Sequence, residues 1–214
     1  MAEPKEEHKD EGIENLIAVA IVALLAIGVG WFVYTQATAV PAIDTARVQI
    51  PLGSSPSLGN ESAPTVVMFS DFECPYCGQF ERDSFPTIKK DLIDTGKLHF
   101  VFKNFPITTH QYAGRAALAA YCADEQGKFW EYHDMLYAHQ EALTEADLTK
   151  YAENLTLDMS QFGSCMNSTG SDMLKDRDLG TQLGVTGTPT FFFNGRKVVG
   201  VLTPEEFQNQ LAQG

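Results

Sequence analysis

Apolar and polar residues follow strand and helix periods over most of the chain beyond residue 60. A continuous apolar run at residues 65–69 predicts a buried strand, and the amphipathic pattern that follows to about residue 95 predicts a helix. Pro86 falls inside that helix and is expected to kink or split it, because proline lacks the amide hydrogen of a helix interior. Residues 98–103 predict a second strand, in which inward and outward side chains alternate.

The middle of the chain has a helical period. From about residue 110 to residue 183, alanine and aromatic residues recur at helical intervals, which predicts a block of helices. Thr144 with Asp147, and Ser160 in front of a short helix, are expected caps, because their side chains accept hydrogen bonds from the free amides at a helix start.

The last part of the chain returns to strand. The apolar run 190–193, the turn Asn194-Gly195 and the segment 197–201 predict a β-hairpin, and Pro204 is expected to open a final helix. Strand, helix, strand, helical block, hairpin and helix together predict an α/β domain with a helical insertion at about 108–183.

An uncharged segment precedes this domain. Residues 16–34 are 19 residues without a formal charge, long enough to span a bilayer as a helix, and Trp31 and Tyr34 lie at one end. Residues 1–15 are mostly acidic, whereas a cleavable signal peptide has a basic leader, so we expect an uncleaved anchor. The alternative is cleavage at the small residues of segment 35–39.

The same segment sets the expected location of the domain. Lys5 and Lys9 precede the anchor and Arg47 is the nearest base after it, which weakly favours a cytoplasmic tail at 1–15. Four cysteines favour an oxidising compartment for the rest of the chain. We therefore expect a single-pass protein of the cell membrane with its domain on the extracytoplasmic side.

Residues 35–60 are rich in proline, glycine and serine and are expected to form a tether, with a short extended piece around 47–50. The domain itself is expected at 61–214. The chain has 214 residues, 44% of them hydrophobic, which is enough for one membrane segment and one domain. Its net charge of −13 argues against a nucleic-acid partner.

The chemistry is concentrated at Cys74-Pro75-Tyr76-Cys77, directly after the first predicted strand. Two cysteines separated by two residues can close a disulfide at the start of a helix, where the helix dipole and free amides stabilise the first thiolate. Cys74 is then the attacking and leaving thiol, and Cys77 resolves the mixed disulfide. The alternative is half of a structural zinc site, but Cys122 and Cys165 do not form a second close pair.

Cys122 and Cys165 both fall in the helical block, 43 residues apart. In an oxidising compartment two such cysteines more often pair than remain free, so we expect a structural disulfide between them. The alternative is two buried free thiols.

Four separated segments resemble the DsbA-like thiol-disulfide oxidoreductases of the thioredoxin superfamily, in their membrane-tethered branch. They are Leu58-Gly59-Asn60, FSDFECPYC at 69–77, KFWEYHDMLYAHQ at 128–140 and GVTGTPTFFFNG at 184–195. The similarity covers about residues 47–212. It implies a thioredoxin fold interrupted by an inserted helical domain.

The resemblance also implies roles for individual residues. Cys74 is the implied nucleophile and Cys77 the implied resolving cysteine. Pro189 is expected in the cis form, so that the backbone at Thr188 presents an open edge to which an extended substrate can bind. The family often carries a buried carboxylate six residues before the first cysteine, where this chain has Met68.

This departure leaves the proton acceptor of the resolving thiol undefined. Water, Glu73 or Asp71 are the substitutes that the sequence offers for the missing carboxylate. The dithiol chemistry itself does not depend on that choice.

The resemblance implies an enzyme that transfers disulfides to cysteine-containing exported proteins and is reoxidised by a membrane redox partner. Pro75-Tyr76 also occurs in glutaredoxins, so a disulfide reductase or isomerase on the same fold is the first alternative. A membrane-tethered module that binds a soft metal through Cys74 and Cys77 is the second alternative. We expect no organic cofactor and no metal, and the five histidines show no metal-ligand spacing.

Overall fold

The structure is a computed structural model that describes residues 47–213. The predicted tail at 1–15, the predicted anchor at 16–34 and residues 35–46 of the predicted tether lie outside the described residues. Within the described range, no helix has both the length and the apolar character needed to cross a bilayer.

A five-stranded sheet forms the centre of the fold. Its strands are β1 (Ser57–Gly59), β2 (Thr65–Ser70), β3 (His99–Asn104), β4 (Thr190–Phe193) and β5 (Arg196–Val199). They lie in the order β1-β3-β2-β4-β5, and only β2 and β3 are parallel to each other. This mixed sheet is the expected thioredoxin-like core, and its central strand β2 leads directly to the turn that contains Cys74.

The prediction that the second strand alternates between inward and outward residues is wrong. All six residues of β3 are buried, including His99, Lys103 and Asn104. Both faces of the sheet are covered: Phe100 contributes to one apolar cluster and Val101 to another, on the opposite face. A central strand covered on both faces has no outward side.

Eight α-helices and one π-helical turn surround the sheet in the described part of the chain. The α-helices are α1 (Pro75–Asp83), α2 (Phe85–Ile88), α3 (Ala113–Asp124), α4 (Phe129–Ala138), α5 (Glu145–Asn154), α6 (Met159–Met166), α7 (Ser171–Gln182) and α8 (Pro204–Ala212). The predicted first helix is split at Ser84, directly before Phe85-Pro86, and it continues beyond α2 as a π-helical turn over Lys89–Ile93. The expected effect of Pro86 is confirmed.

The helices α3 to α7 form the insertion between β3 and β4, with their own apolar core. Phe72 and Phe102 belong to the same cluster, so the insertion packs directly against the segment that follows β2 and against the middle of β3. On the far side of the sheet, buried Lys103 pairs with Asp176 of α7 at 2.8 Å, which fixes that helix to β3. The insertion is therefore anchored next to the CPYC segment.

The structure confirms one of the two predicted helix caps. The cap at Thr144 is confirmed as a capping box with Asp147, but the cap of α6 is Asp158 rather than Ser160, whose amide donates to Asp158. No strand forms at 47–50; instead β1, inside the predicted tether, pairs with β3 at the sheet edge.

The predicted hairpin forms between β4 and β5 and ends at residue 199, earlier than expected. Asn194 and Gly195 both have positive φ, 46° and 87°, as a tight two-residue hairpin turn requires. Pro204 opens α8 as expected, with Thr203 as its cap.

Candidate active site

Cys74 is the N-cap residue of α1, at the point where the chain leaves β2 and enters the helix. Pro75 occupies the first helical turn, where its missing amide hydrogen costs nothing, and its fixed φ suits the helix start. The Cys74 carbonyl accepts a hydrogen bond from the Gly78 amide, which closes the first turn of α1.

The Cys74 sulfur has the hydrogen-bond partners that a thiolate needs, although only 3% of the residue is exposed. The Cys77 thiol, the Thr188 hydroxyl and the amides of Cys77 and Tyr76 lie within its reach. The hydrogen bond from Cys77 contributes most and outweighs burial, so the pKa of Cys74 falls from 9.0 to about 5. At pH 7 such a thiol is about 99% thiolate.

Cys77 has the opposite character. It is fully buried on the inner face of α1. Burial, followed by the hydrogen bond and the charge of Cys74, raises the pKa of Cys77 well above its usual range. The structure thus places one acidic thiol beside one that resists ionisation, and both are free thiols.

The segment Gly187-Thr188-Pro189 faces the dithiol from the start of β4. The Thr188-Pro189 peptide bond is cis, and the Cys74 sulfur lies 3.4 Å from the Thr188 carbonyl oxygen, to which the thiol donates when it is protonated. The Thr188 hydroxyl is buried and also lies beside both thiols. Residues that are more than a hundred positions apart in sequence therefore meet at one sulfur atom.

Gln140, just beyond α4, holds the active-site loop in place. Its amide group donates to the carbonyls of Phe72 and Cys74, at 2.8 and 3.0 Å. A Cβ atom at Gly78 would lie 1.8 Å from the Gln140 side-chain oxygen, so this close approach requires glycine. Sequence reasoning did not single out Gln140, although it is the last residue of the family-like segment 128–140.

Asp71 and Glu73, the two carboxylates considered as proton acceptors for Cys77, are bound to backbone instead. Buried Asp71 accepts from the amides of Glu73 and Ile107 and interacts with His110 Nδ1 at 2.7 Å. Glu73 accepts from the Tyr112 amide. Both carboxylates tie the CPYC segment to the loop that follows β3.

Four other polar side chains lie around Cys77 and α1, and sequence reasoning missed their grouping. They are Ser70 at the end of β2, Glu81 on α1, and His133 and Tyr137 on α4. The signal was present in the spacing of His133 and Tyr137, which are four residues apart on one helix face. Their partners come from elements that only the fold brings together.

Cys122 and Cys165 lie away from this site. They are joined in a disulfide that links α3 to α6 inside the insertion, with Cα atoms 5.7 Å apart. Across residues 47–213, no group of three or more His, Cys, Asp or Glu side chains is arranged to hold a metal ion. Met68 is fully buried and apolar, so β2 offers no carboxylate beneath the dithiol.

Residues 52–213 match the family model described as Thioredoxin. The chain is 30% identical over 182 residues to disulfide bond formation protein D of Bacillus subtilis, covering 78% of this chain and 80% of that protein. It is 46% identical over 143 residues to a Na(+)/H(+) antiporter, NhaA 3, of Salinispora tropica, covering 65% of this chain. It spans only 21% of that antiporter and 30% of another, from Salinispora arenicola.

Solved structures extend the comparison to the fold. The oxidised crystal structure of BdbD from Bacillus subtilis is 29% identical, with a TM-score of 0.69 over 77% of this chain and 95% of that one. The α-DsbA1 structure from Wolbachia pipientis is 25% identical, with a TM-score of 0.66 over 77% and 92%. Together with the dithiol, these matches show that the chain belongs to the thioredoxin family, among its DsbA-like thiol-disulfide oxidoreductases.

Proposed function

We propose that this chain is a thiol-disulfide oxidoreductase that donates the Cys74–Cys77 disulfide to exported proteins. The observation that carries the proposal is the unequal setting of the two thiols. Cys74 lies at the N-cap of α1 beside Thr188, which accompanies a pKa lowered to about 5, whereas Cys77 is fully buried, which raises its pKa well above the usual range. An acidic thiolate stabilises the reduced enzyme, which makes the disulfide a stronger oxidant.

The size of this effect follows from the pKa of Cys74. At pH 7, lowering the pKa from 9.0 to about 5 stabilises the thiolate-containing reduced form by about 2.7 kcal/mol. For a two-electron couple this raises the reduction potential by about 60 mV relative to an unperturbed pair. The direction favours disulfide donation over reduction.

The reaction begins with a substrate thiolate that attacks the Cys74 sulfur of the oxidised pair. The Cys74–Cys77 bond breaks, Cys77 leaves as a thiolate that takes up a proton, and a mixed disulfide joins substrate to Cys74. A second substrate thiolate then attacks the substrate sulfur of this bond and releases Cys74 as a thiolate. The substrate loses two electrons as its disulfide forms, and the enzyme gains them.

Binding of the substrate is proposed at the edge formed by Thr188 and Pro189. The Thr188 carbonyl lies 3.4 Å from the Cys74 sulfur, so an extended segment that pairs with this backbone would bring its own cysteine to Cys74. Tyr76, in the active-site loop beside Pro75, is 63% exposed and offers an apolar ring to the same segment.

We also propose the location of the enzyme. Residues 1–15 would form a cytoplasmic tail, 16–34 a single membrane span and 35–46 a tether, with the domain outside the cell membrane from about residue 47, because β1 of the predicted tether belongs to the sheet. The uncharged stretch at 16–34 supports the span, and the Cys122–Cys165 disulfide is of the kind that persists in oxidising compartments. A membrane redox partner would then accept two electrons from the reduced enzyme.

The test uses the purified full-length chain in detergent with a reduced, unfolded protein that regains activity only when its native disulfides form. Catalytic amounts of the oxidised enzyme plus glutathione disulfide are expected to accelerate recovery of activity. Cys74→Ser is expected to abolish the acceleration, whereas Cys122→Ser with Cys165→Ser retains it. A Cys74→Ser enzyme as fast as the natural one would refute the proposal.

A further inference from the structure

Cys77 has to lose a proton during each cycle, yet it is sealed from solvent. When the reduced enzyme is reoxidised, Cys77 attacks the mixed disulfide at Cys74 as a thiolate, and its proton needs an acceptor. Cys77 is fully buried, and Met68 of β2 is apolar. Asp71 and Glu73 are bound to backbone amides. The acceptor therefore lies elsewhere.

A pair of hydroxyl groups begins at the Cys77 thiol. The Ser70 hydroxyl hydrogen-bonds with Cys77, and its oxygen lies 2.7 Å from the Tyr137 hydroxyl oxygen. A hydroxyl both accepts and donates a hydrogen bond, so the two groups can pass a proton in sequence. The Tyr137 side chain reaches Ser70 from α4, across the boundary between the insertion and the sheet.

Tyr137 lines a cavity of about 600 Å³ between α1 and α4, together with Glu81 and His133. Glu81 Oε1 and His133 Nε2 lie 3.6 Å apart, and within the described part of the chain neither atom has a hydrogen-bond partner. Their side chains are only 6% and 1% exposed. Two buried polar atoms that face a cavity of this size are a site for bridging water.

The pair formed by Glu81 and His133 is connected to the protein surface. His133 Nδ1 lies 2.9 Å from Asp134 Oδ1, and the Asp134 side chain is 75% exposed. Burial lowers the pKa of His133, but the charges of Glu81 and Asp134 and the hydrogen bond with Asp134 outweigh burial, so this pKa rises to about 9. Burial raises the pKa of Glu81. A carboxylate whose pKa is raised binds a proton more readily, so Glu81 beside the imidazolium of His133 is a suitable proton acceptor.

We propose that the proton of Cys77 leaves through Ser70 and Tyr137, across water in the cavity, to Glu81, while His133 releases a proton through Asp134 to solvent. Glu81 then passes its proton to the neutral His133 across the same water. Each group has then accepted one proton and given one up, so the charges of Glu81 and His133 are restored. Ser70 touches the reacting thiol and is the catalytic residue of this path. Tyr137, Glu81 and His133 act through it.

Other charged groups face this path and contribute to its pH dependence. The charge of Asp71, directly after β2, raises the pKa of Tyr137, and the remaining charged residues around the cavity are Arg82, Lys89, Asp134 and Glu141.

The proposal rests on the dithiol function, and the experiment separates the two. Reduced full-length enzyme is mixed with glutathione disulfide, quenched with acid at successive times and analysed by mass spectrometry. The first step, attack by Cys74, gives the mixed disulfide; the second step, attack by Cys77, gives the intramolecular disulfide. Failure of the proposed function appears in the first step, and failure of the proton path appears only in the second.

Tyr137→Phe and Ser70→Ala each remove one oxygen atom. We expect both variants to slow the second step by about 10- to 100-fold at pH 7 and to make it rise in proportion to hydroxide concentration. The first step is expected to stay within about twofold of the natural rate, because Cys74 keeps its partners. Glu81→Gln, which keeps the shape of the side chain, is expected to slow the second step as well.

Tyr151→Phe is the matched control, because its hydroxyl donates to the Ala142 carbonyl at 2.8 Å inside the insertion, away from Cys77. It should leave both steps unchanged. The proposal is overturned if Tyr137→Phe and Ser70→Ala both keep the natural rate and pH profile of the second step. It is also overturned if the control slows that step as much as Tyr137→Phe does.

Discussion

Replacing Cys77 with alanine should make Cys74 a much weaker acid. Four contacts lower the pKa of Cys74, from the Cys77 side chain, Thr188 and the amides of Cys77 and Tyr76, and the Cys77 thiol is the strongest. Together they overcome burial and still bring the pKa from 9.0 to about 5, a net stabilisation of the thiolate of about 5 kcal/mol.

The largest of four such contributions accounts for at least a quarter of their sum. Its loss therefore costs the thiolate more than about 1.4 kcal/mol, which lowers the acid dissociation constant of Cys74 by more than about tenfold. Cys77→Ser keeps a donor group at the same position, so its Cys74 should remain the stronger acid of the two variants. The predicted difference isolates one hydrogen bond.

The assay is a pH titration of the thiolate absorbance at 240 nm. With Cys122 and Cys165 in a disulfide, Cys74 is the only free thiol of either variant. If Cys77→Ala and Cys77→Ser titrate together at the natural value, the helix start rather than Cys77 sets the acidity. If the natural Cys74 titrates near 9.0, the explanation of the site is wrong altogether.

Three further predictions concern stability and the loop. Because folding holds the pKa of Cys74 below its unfolded value of 9.0, its contribution to stability is complete above pH 9.0 and is lost as the pH falls through about 5. The unfolding free energy of the reduced form should therefore drop by about 2.7 kcal/mol between pH 7 and pH 4, relative to the oxidised form, in urea titrations. Serine at both Cys122 and Cys165 should cost about 4 kcal/mol in guanidinium unfolding, since the closed loop spans 43 residues, while the rate of exchange stays the same. Gly78→Ala should displace Gln140 and slow substrate oxidation, and adding Gln140→Ala should cost little more, because the displaced side chain has already lost its bonds to the Phe72 and Cys74 carbonyls; losses that simply add in the double variant would show that the clash is unimportant.

The sequence predicted the elements of the sheet because the strands at 65–69 and 190–193 are short apolar runs bounded by turn residues. It failed at β3, where an alternating pattern suggested a solvent face, whereas the helical insertion, including α7, covers that strand. Burial of Lys103 depends on Asp176, which is 73 residues away, and no local pattern contains that information.

In the active site, too, local sequence predicts some features, whereas others depend on contacts between distant segments. The placement of Cys74 and Cys77 follows from four consecutive residues, and the location of Thr188 beside them was implied by family resemblance. Other contacts arise only where the insertion packs on the rest of the domain, such as those of Ser70 with Tyr137 and of Glu81 with His133. These contacts could not be predicted from the sequence, because each residue is of a common type and its partner is distant in sequence.

The most direct test of the central claim is the reduction potential of the Cys74–Cys77 pair, measured at pH 7 by equilibration of the purified chain in glutathione buffers. A thiol with a pKa of about 5, compared with about 7 in thioredoxin, adds about 50 mV to the thioredoxin potential of about −270 mV. We predict about −220 mV or higher, which is more oxidising than thioredoxin and therefore favours disulfide donation. A potential of about −270 mV or lower would contradict the account and reverse the direction of electron flow.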